Sequence, residues 1–108
     1  MCKRCYKINM QTPMGIKCGT ISVMIEKGRV KGNLNVMNHK NPLLGFIDEE
    51  GNCKLTGSIV TLMQTVSYEA YGKIEEDKIS LTIYGGRNVF QMVGEKSMED
   101  EIQLKRRI

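Results

Sequence analysis

The stretch CKLTGSIVTLMQTVSYEAYGKI, residues 53–74, decides the fold. Every second residue from Cys53 gives Leu55, Gly57, Ile59 and Thr61, and the return gives Val66, Tyr68, Ala70, Gly72 and Ile74. Between them fall Lys54, Thr56, Ser58, Thr65, Ser67, Glu69 and Lys73, so one face is apolar and the other wet. A period of two with a break near Thr61–Gln64 predicts a β-hairpin packed on one side. Each arm carries a glycine followed two residues later by isoleucine, Gly57-Ser58-Ile59 and Gly72-Lys73-Ile74.

The same device recurs upstream as Gly19-Thr20-Ile21, Gly32-Asn33-Leu34 and Gly45-Phe46-Ile47. An inward glycine weakens a strand, and its repetition suits a tightly curved sheet that needs room for bends and facing side chains. Alternation also marks strands with Tyr6, Ile8 and Met10 inward, then Ile21, Val23 and Ile25, then Val30, Leu34 and Val36, then Leu43 and Ile47, and later Ile79, Leu81 and Ile83. In the last strand Val89 and Val93 compete with Phe90 and Met92 for the inner face, which leaves its parity open. Short strands with turn signals at regular spacing predict an all-β, antiparallel up-and-down meander of about eight strands closed into a barrel.

At 108 residues the chain is one domain with a modest core. Residues 1–5 read as a frayed start, 6–96 as the barrel, and 97–108 as an extension that could form a short helix or add a strand. A hydrophobic share of 41% with 26% charged residues argues against disorder. The formal charge of +4 is modest, since sixteen basic residues are offset by twelve acidic ones, and no basic run interleaves with exposed aromatics. Nucleic acid is therefore not an expected partner. No apolar run reaches the roughly 20 residues that a membrane helix needs, and the basic start has no apolar run of signal length behind it. The expected setting is the cytoplasm, with four reduced cysteines.

Alternate loops of a meander share one end of the barrel. One set runs through Thr12–Gly15, Met37–Pro42, Thr61–Gln64 and Tyr84–Asn88, and brings together Met14, Met37, Leu62, Met63 and Tyr84 with the polar residues His39 and Arg87. The other set, Glu26–Gly28, Asp48–Asn52 and Glu75–Asp77, is short and charged. Methionines at one rim suit an adaptable apolar contact, and an inward Tyr68 needs a hydrogen-bond partner. The rim residues either fold back as a plug, open as the mouth for a small, largely apolar ligand, or form a self-association surface, as in a homodimer. The candidate ligand site is accordingly Met14, Met37, His39, Met63, Tyr68, Tyr84 and Arg87.

Enzymatic signals are weak. One loop histidine does not make a Ser-His-acid arrangement, and Gly85-Gly86-Arg87 lacks the lysine and the strand-to-helix setting of a phosphate loop. Cys2-Lys3-Arg4-Cys5 has the spacing of half a zinc site, but Cys18 and Cys53 do not form a second pair. The expectation is a non-enzymatic barrel without metal or cofactor, with a filled interaction domain as the alternative.

At Thr12-Pro13-Met14-Gly15, its echo Thr61-Leu62-Met63-Gln64 and the spaced glycines, the chain resembles short bacterial proteins of unassigned function that look like small calycin-type barrels. The resemblance spans Tyr6 to Lys96. The calycin class, which includes lipocalins, fatty-acid-binding proteins and avidins, implies a small apolar ligand held by the barrel. The chain has no tryptophan and so lacks the glycine-x-tryptophan motif of lipocalins.

Overall fold

The structure is a computed structural model that describes residues 2–61 and 63–97. Eight antiparallel strands follow one another: β1 (Cys2–Thr12), β2 (Gly15–Glu26), β3 (Arg29–Val36), β4 (His39–Ile47), β5 (Asn52–Val60), β6 (Thr65–Ile74), β7 (Lys78–Gly85) and β8 (Asn88–Lys96). Each pairs with its neighbours in sequence, and β1 pairs with β8 to close the barrel. The all-β meander expected from the period-two pattern is the architecture, and it is compatible with a calycin-like fold. The possible helix or strand in the tail falls on residues 98–108, which lie outside the described residues.

The inward residues of all eight strands form one core, including Tyr6, Ile8, Met10, Ile21, Val23, Leu34, Leu55, Ile59, Tyr68, Ile74, Leu81 and Ile83. In β8 it is Met92 that is buried and Phe90 that packs half-buried against the core, while Val89 and Val93 face out. The register settles that ambiguity. Met92 stands opposite Leu81 on one side and Met10 on the other, so it shares their inward face.

The inward glycines lie between large side chains of both neighbouring strands: Gly45 faces Val30 and Leu55, and Gly94 faces Ile8 and Ile79. The space at Gly32 is taken by backbone, and at Gly45 and Gly94 too a backbone carbonyl oxygen, of Lys54 and of Lys7, stands nearest, ahead of any side chain. A Cβ at Gly32 would collide with the carbonyl oxygen of Ser22 on β2, because the strands coil closely at that point.

Two expectations are corrected. The first four described residues are not frayed: Cys2–Cys5 continue β1 and pair with Ile25 back to Ser22, four residues beyond the stretch where β1 meets β8. Polar side chains hide a strand from a hydrophobicity pattern, whereas the ladder depends on backbone groups alone. The connection from Met37 to Pro42 is also shorter than expected. Met37 and Asn38 both have positive φ, 56° and 63°, and form a two-residue turn between the paired Val36 and His39. That geometry matches the right-handed twist of hairpin strands, and it places His39, Lys40, Asn41 and Pro42 in β4.

Candidate functional site

The turns sort into two ends of opposite character. Pro13-Met14, Met37-Asn38, the Thr61–Gln64 turn and Gly86-Arg87 lie at one end. The Thr12 and Thr61 hydroxyls play the same part in two of these turns, which gives the sequence echo a structural cause. Thr12 Oγ1 donates to the Gly15 carbonyl at 2.8 Å and accepts from the Met14 amide at 3.1 Å. Thr61 Oγ1 donates to the Gln64 carbonyl at 2.8 Å and accepts from the Met63 and Gln64 amides.

The seven candidate residues do not converge. Met14 and Met63 project outward, 83% and 91% exposed, while Met37 folds back against the core. His39 and Arg87 are exposed. Tyr84 belongs to the outer wall, because it follows the inward Ile83; its ring meets Tyr71 edge-on at 5.9 Å. Tyr71 in turn donates to Glu69 Oε2 at 3.0 Å and lies under Lys54 Nζ. Tyr68 is inside, 5% exposed, and burial pushes its phenol up to about 12. Its hydroxyl has no hydrogen-bond partner among the described residues.

The opposite end carries a cleft of about 460 Å³ that the sequence reading missed. Ile25, Ile47 and Ile74 contribute apolar lining, Gly28 and Gly51 come from the turns, and the rim holds Asp48, Glu49, Glu50, Glu75 and Glu76 with Arg4 as the basic member. Three turns meet here, so acidic residues far apart in sequence surround one mouth. Their roles differ. Asp48 is structural: its carboxylate accepts from the amides of Glu50 and Asn52 and from the Asn52 side chain, and these bonds hold it below the usual carboxylate range. Glu75 is shared by Lys73 and Lys78 at 3.9 and 3.6 Å, and its carbonyl accepts from the buried Tyr6 hydroxyl. That leaves Glu49, Glu50 and Glu76 as rim carboxylates with no ion pair among the described residues.

On the outer wall Arg29, Phe46, Lys54 and Tyr71 stand side by side across β3 to β6, cation and aromatic in turn, with Phe46 65% exposed. Sequence order concealed this row, because its members come from four strands. Glu26 and Glu69 border it, so it is not a purely basic face.

The four cysteines are free thiols. Cys2 and Cys5 are three positions apart on one strand, so they point to opposite faces and do not form a paired site. Among the described residues no group of three histidine, cysteine or acidic side chains is placed to hold a metal ion, and no helix is long and apolar enough to cross a membrane. Comparison with family models, curated proteins and solved structures gave no match.

Proposed function

We propose that this barrel is a non-enzymatic binding protein whose ligand sits in the acidic mouth rather than at the methionine rim. The cleft bounded by Ile25, Ile47 and Ile74 carries this reading. Its chemistry selects an amphipathic molecule, with an apolar body against the isoleucines and a cationic end among Glu49, Glu50 and Glu76. The carboxylates steer such a ligand, and burial of its apolar part supplies most of the affinity. The ligand thus remains small and largely apolar, as the calycin resemblance implies, but gains a positive charge. The four free thiols support a reducing compartment such as the cytoplasm.

Titration by NMR with hexylammonium, hexanol and hexanoate tests this. Shifts at Ile25, Ile47 and Ile74 should saturate first with hexylammonium and last with hexanoate, and the triple substitution of Glu49, Glu50 and Glu76 by Gln should remove that order. Equal response to all three probes, or shifts centred elsewhere, would sink the reading.

A second reading, a self-associating interaction domain, is favoured by the exposure of Met14, Ile16 and Met63 towards the other end. Sedimentation at two concentrations of the wild type and of the Met14→Lys, Met63→Lys variant decides it. A dimer lost in the variant supports it, and a monomer throughout removes it.

A further inference from the structure

β1 outruns one of its two partners. Its ladder with β8 ends at Tyr6 opposite Lys96, while its ladder with β2 runs on to Cys2 opposite Ile25. The overhang brings Arg4 to the wall of the acidic mouth. Arg4 stands opposite the buried Val23, and residues directly opposite across a ladder share a face, so Arg4 is on the inner side. It lines the cleft together with Ile25, Ile47 and Ile74. Two residues further in, the Tyr6 hydroxyl donates to the Glu75 carbonyl and ties β1 to the β6–β7 turn.

An arginine in a cleft lined by five acidic residues ordinarily pairs with one of them. This one does not. Glu75 is held by Lys73 and Lys78, Asp48 is bound within its own turn, and Arg4 has no ion pair among the described residues. Its side-chain neighbours are Cys2 and Tyr6 of its own strand. Topology gives the reason. In a closed ring of eight strands β5 is four places from β1 in either direction, so the β4–β5 turn with Glu49 and Glu50 lies across the mouth from Arg4. A guanidinium on one side therefore faces two carboxylates on the other, none of them ion-paired among the described residues, with isoleucines of β2, β4 and β6 lining the space.

We infer that the mouth takes a small zwitterion whose charges stand at opposite ends of an apolar chain, with its carboxylate on Arg4 and its ammonium at Glu49 and Glu50. The inference rests on the binding role proposed for the mouth and adds a second charge and its place. The planar guanidinium matches a carboxylate with two parallel hydrogen bonds. A carboxylate without the ammonium gains little, because the acidic rim opposes it everywhere except beside Arg4. An α-amino acid holds both charges on neighbouring atoms and cannot serve the two sides at once.

NMR titration of the full chain with 6-aminohexanoate, its isomer 2-aminohexanoate and hexylammonium, in the wild type and in Arg4→Gln, tests this. In the wild type 6-aminohexanoate should bind about tenfold more tightly than either of the others. Arg4→Gln should act on two probes with opposite signs. It should weaken 6-aminohexanoate by about tenfold and leave hexylammonium as tight or tighter, since a cation has left an acidic site. An Arg4 that only supported the fold would move both probes the same way. Arg4→Lys, which keeps the charge without the fork, should fall between, and it carries the test if the glutamine variant does not fold. If hexylammonium leaves the signals of Ile25, Ile47 and Ile74 unmoved, the mouth is not a site and the zwitterion falls with it. If hexylammonium binds there but 6-aminohexanoate gains nothing, the two isomers bind equally, or Arg4→Gln weakens both probes, the zwitterion alone is overturned.

Discussion

The carbonyl oxygen of Ser22 occupies the space that a side chain on Gly32 would need, so β2 and β3 approach each other through a glycine that tolerates no substitution without a backbone shift. Gly32→Ala should therefore cost more than the usual strand penalty for a change at an inward position, about 3 kcal/mol or more, since alanine must push apart two hydrogen-bonded strands. Urea unfolding measures it. A loss under about 1 kcal/mol would mean that the strands are less tightly coiled at this point.

Asn41 holds three backbone groups with one buried side chain, the Leu34 carbonyl on β3, the His39 carbonyl on β4 and the Val60 amide on β5, and its removal should be felt on both sides. Asn41→Ala leaves the Leu34 carbonyl and the Val60 amide without their partner, at a cost of about 2 to 4 kcal/mol. Asn41→Asp should be at least as damaging near neutral pH, because a buried carboxylate cannot donate to Leu34 or His39. Urea midpoints of the two variants check the order, and hydrogen exchange at Val60 should rise more in Asn41→Ala than in Asn41→Asp, which keeps an acceptor for that amide.

Thr61 caps the β5–β6 turn through its hydroxyl, so Thr61→Val, which keeps the shape and removes the donor and acceptor, should destabilise by about 1 kcal/mol. Thr12→Val should do the same at the β1–β2 turn. Thermal unfolding of the two single variants and the double variant should show additive losses, since the turns share no contact.

Burial pushes the Cys53 thiol up to about 11. Alkylation with iodoacetamide at pH 8, read by peptide mass mapping, should modify the exposed Cys2 and Cys18 early and Cys53 only on unfolding. The same burial sets an alkaline limit. A thiol whose folded pKa is raised above its unfolded value near 9 keeps its proton longer in the folded state, so its stabilising effect is full below about pH 9 and is lost as pH rises through about 11. Tyr68, raised from 10 to about 12, acts in the same direction one unit higher. Urea midpoints should fall steadily from pH 9 to 11, and the fall should be shallower in Cys53→Ala.

The strands were legible because inward and outward residues alternate with a period that backbone geometry imposes, and the glycine at every fourth or fifth inward step announced curvature. The cause of that spacing was only half legible. Sequence suggests room for facing side chains, while at Gly32 the occupant is a backbone oxygen, which no side-chain pattern reports. Asn41 was within reach of the same counting, two residues before Leu43 on the inward face, but the Met37–Pro42 stretch read as a loop. A two-residue turn at Met37-Asn38 needs positive φ at a methionine, and composition gives no sign of that. The acidic cleft was hidden for another reason. Turns 27–28, 48–51 and 75–77 are ordinary one by one, and a cavity exists only where the closed barrel brings them to a common rim.

Seven of the eight ladders join strands adjacent in the chain, and only the pairing of β1 with β8 spans its whole length. Hairpins can therefore form early and locally, with small loops to close, whereas the eighth ladder must gather the two ends of a nearly complete sheet. Tyr6 with Lys96, Ile8 with Gly94 and Met10 with Met92 are the contacts that register this last step. Substitutions there should slow folding by making closure harder, while substitutions at the Thr12 and Thr61 turns change how quickly each hairpin starts. Loop-closure entropy therefore sets the expected order, zipping along the chain first and circularisation last, and stopped-flow refolding of variants at Met10 and at Thr61 checks it.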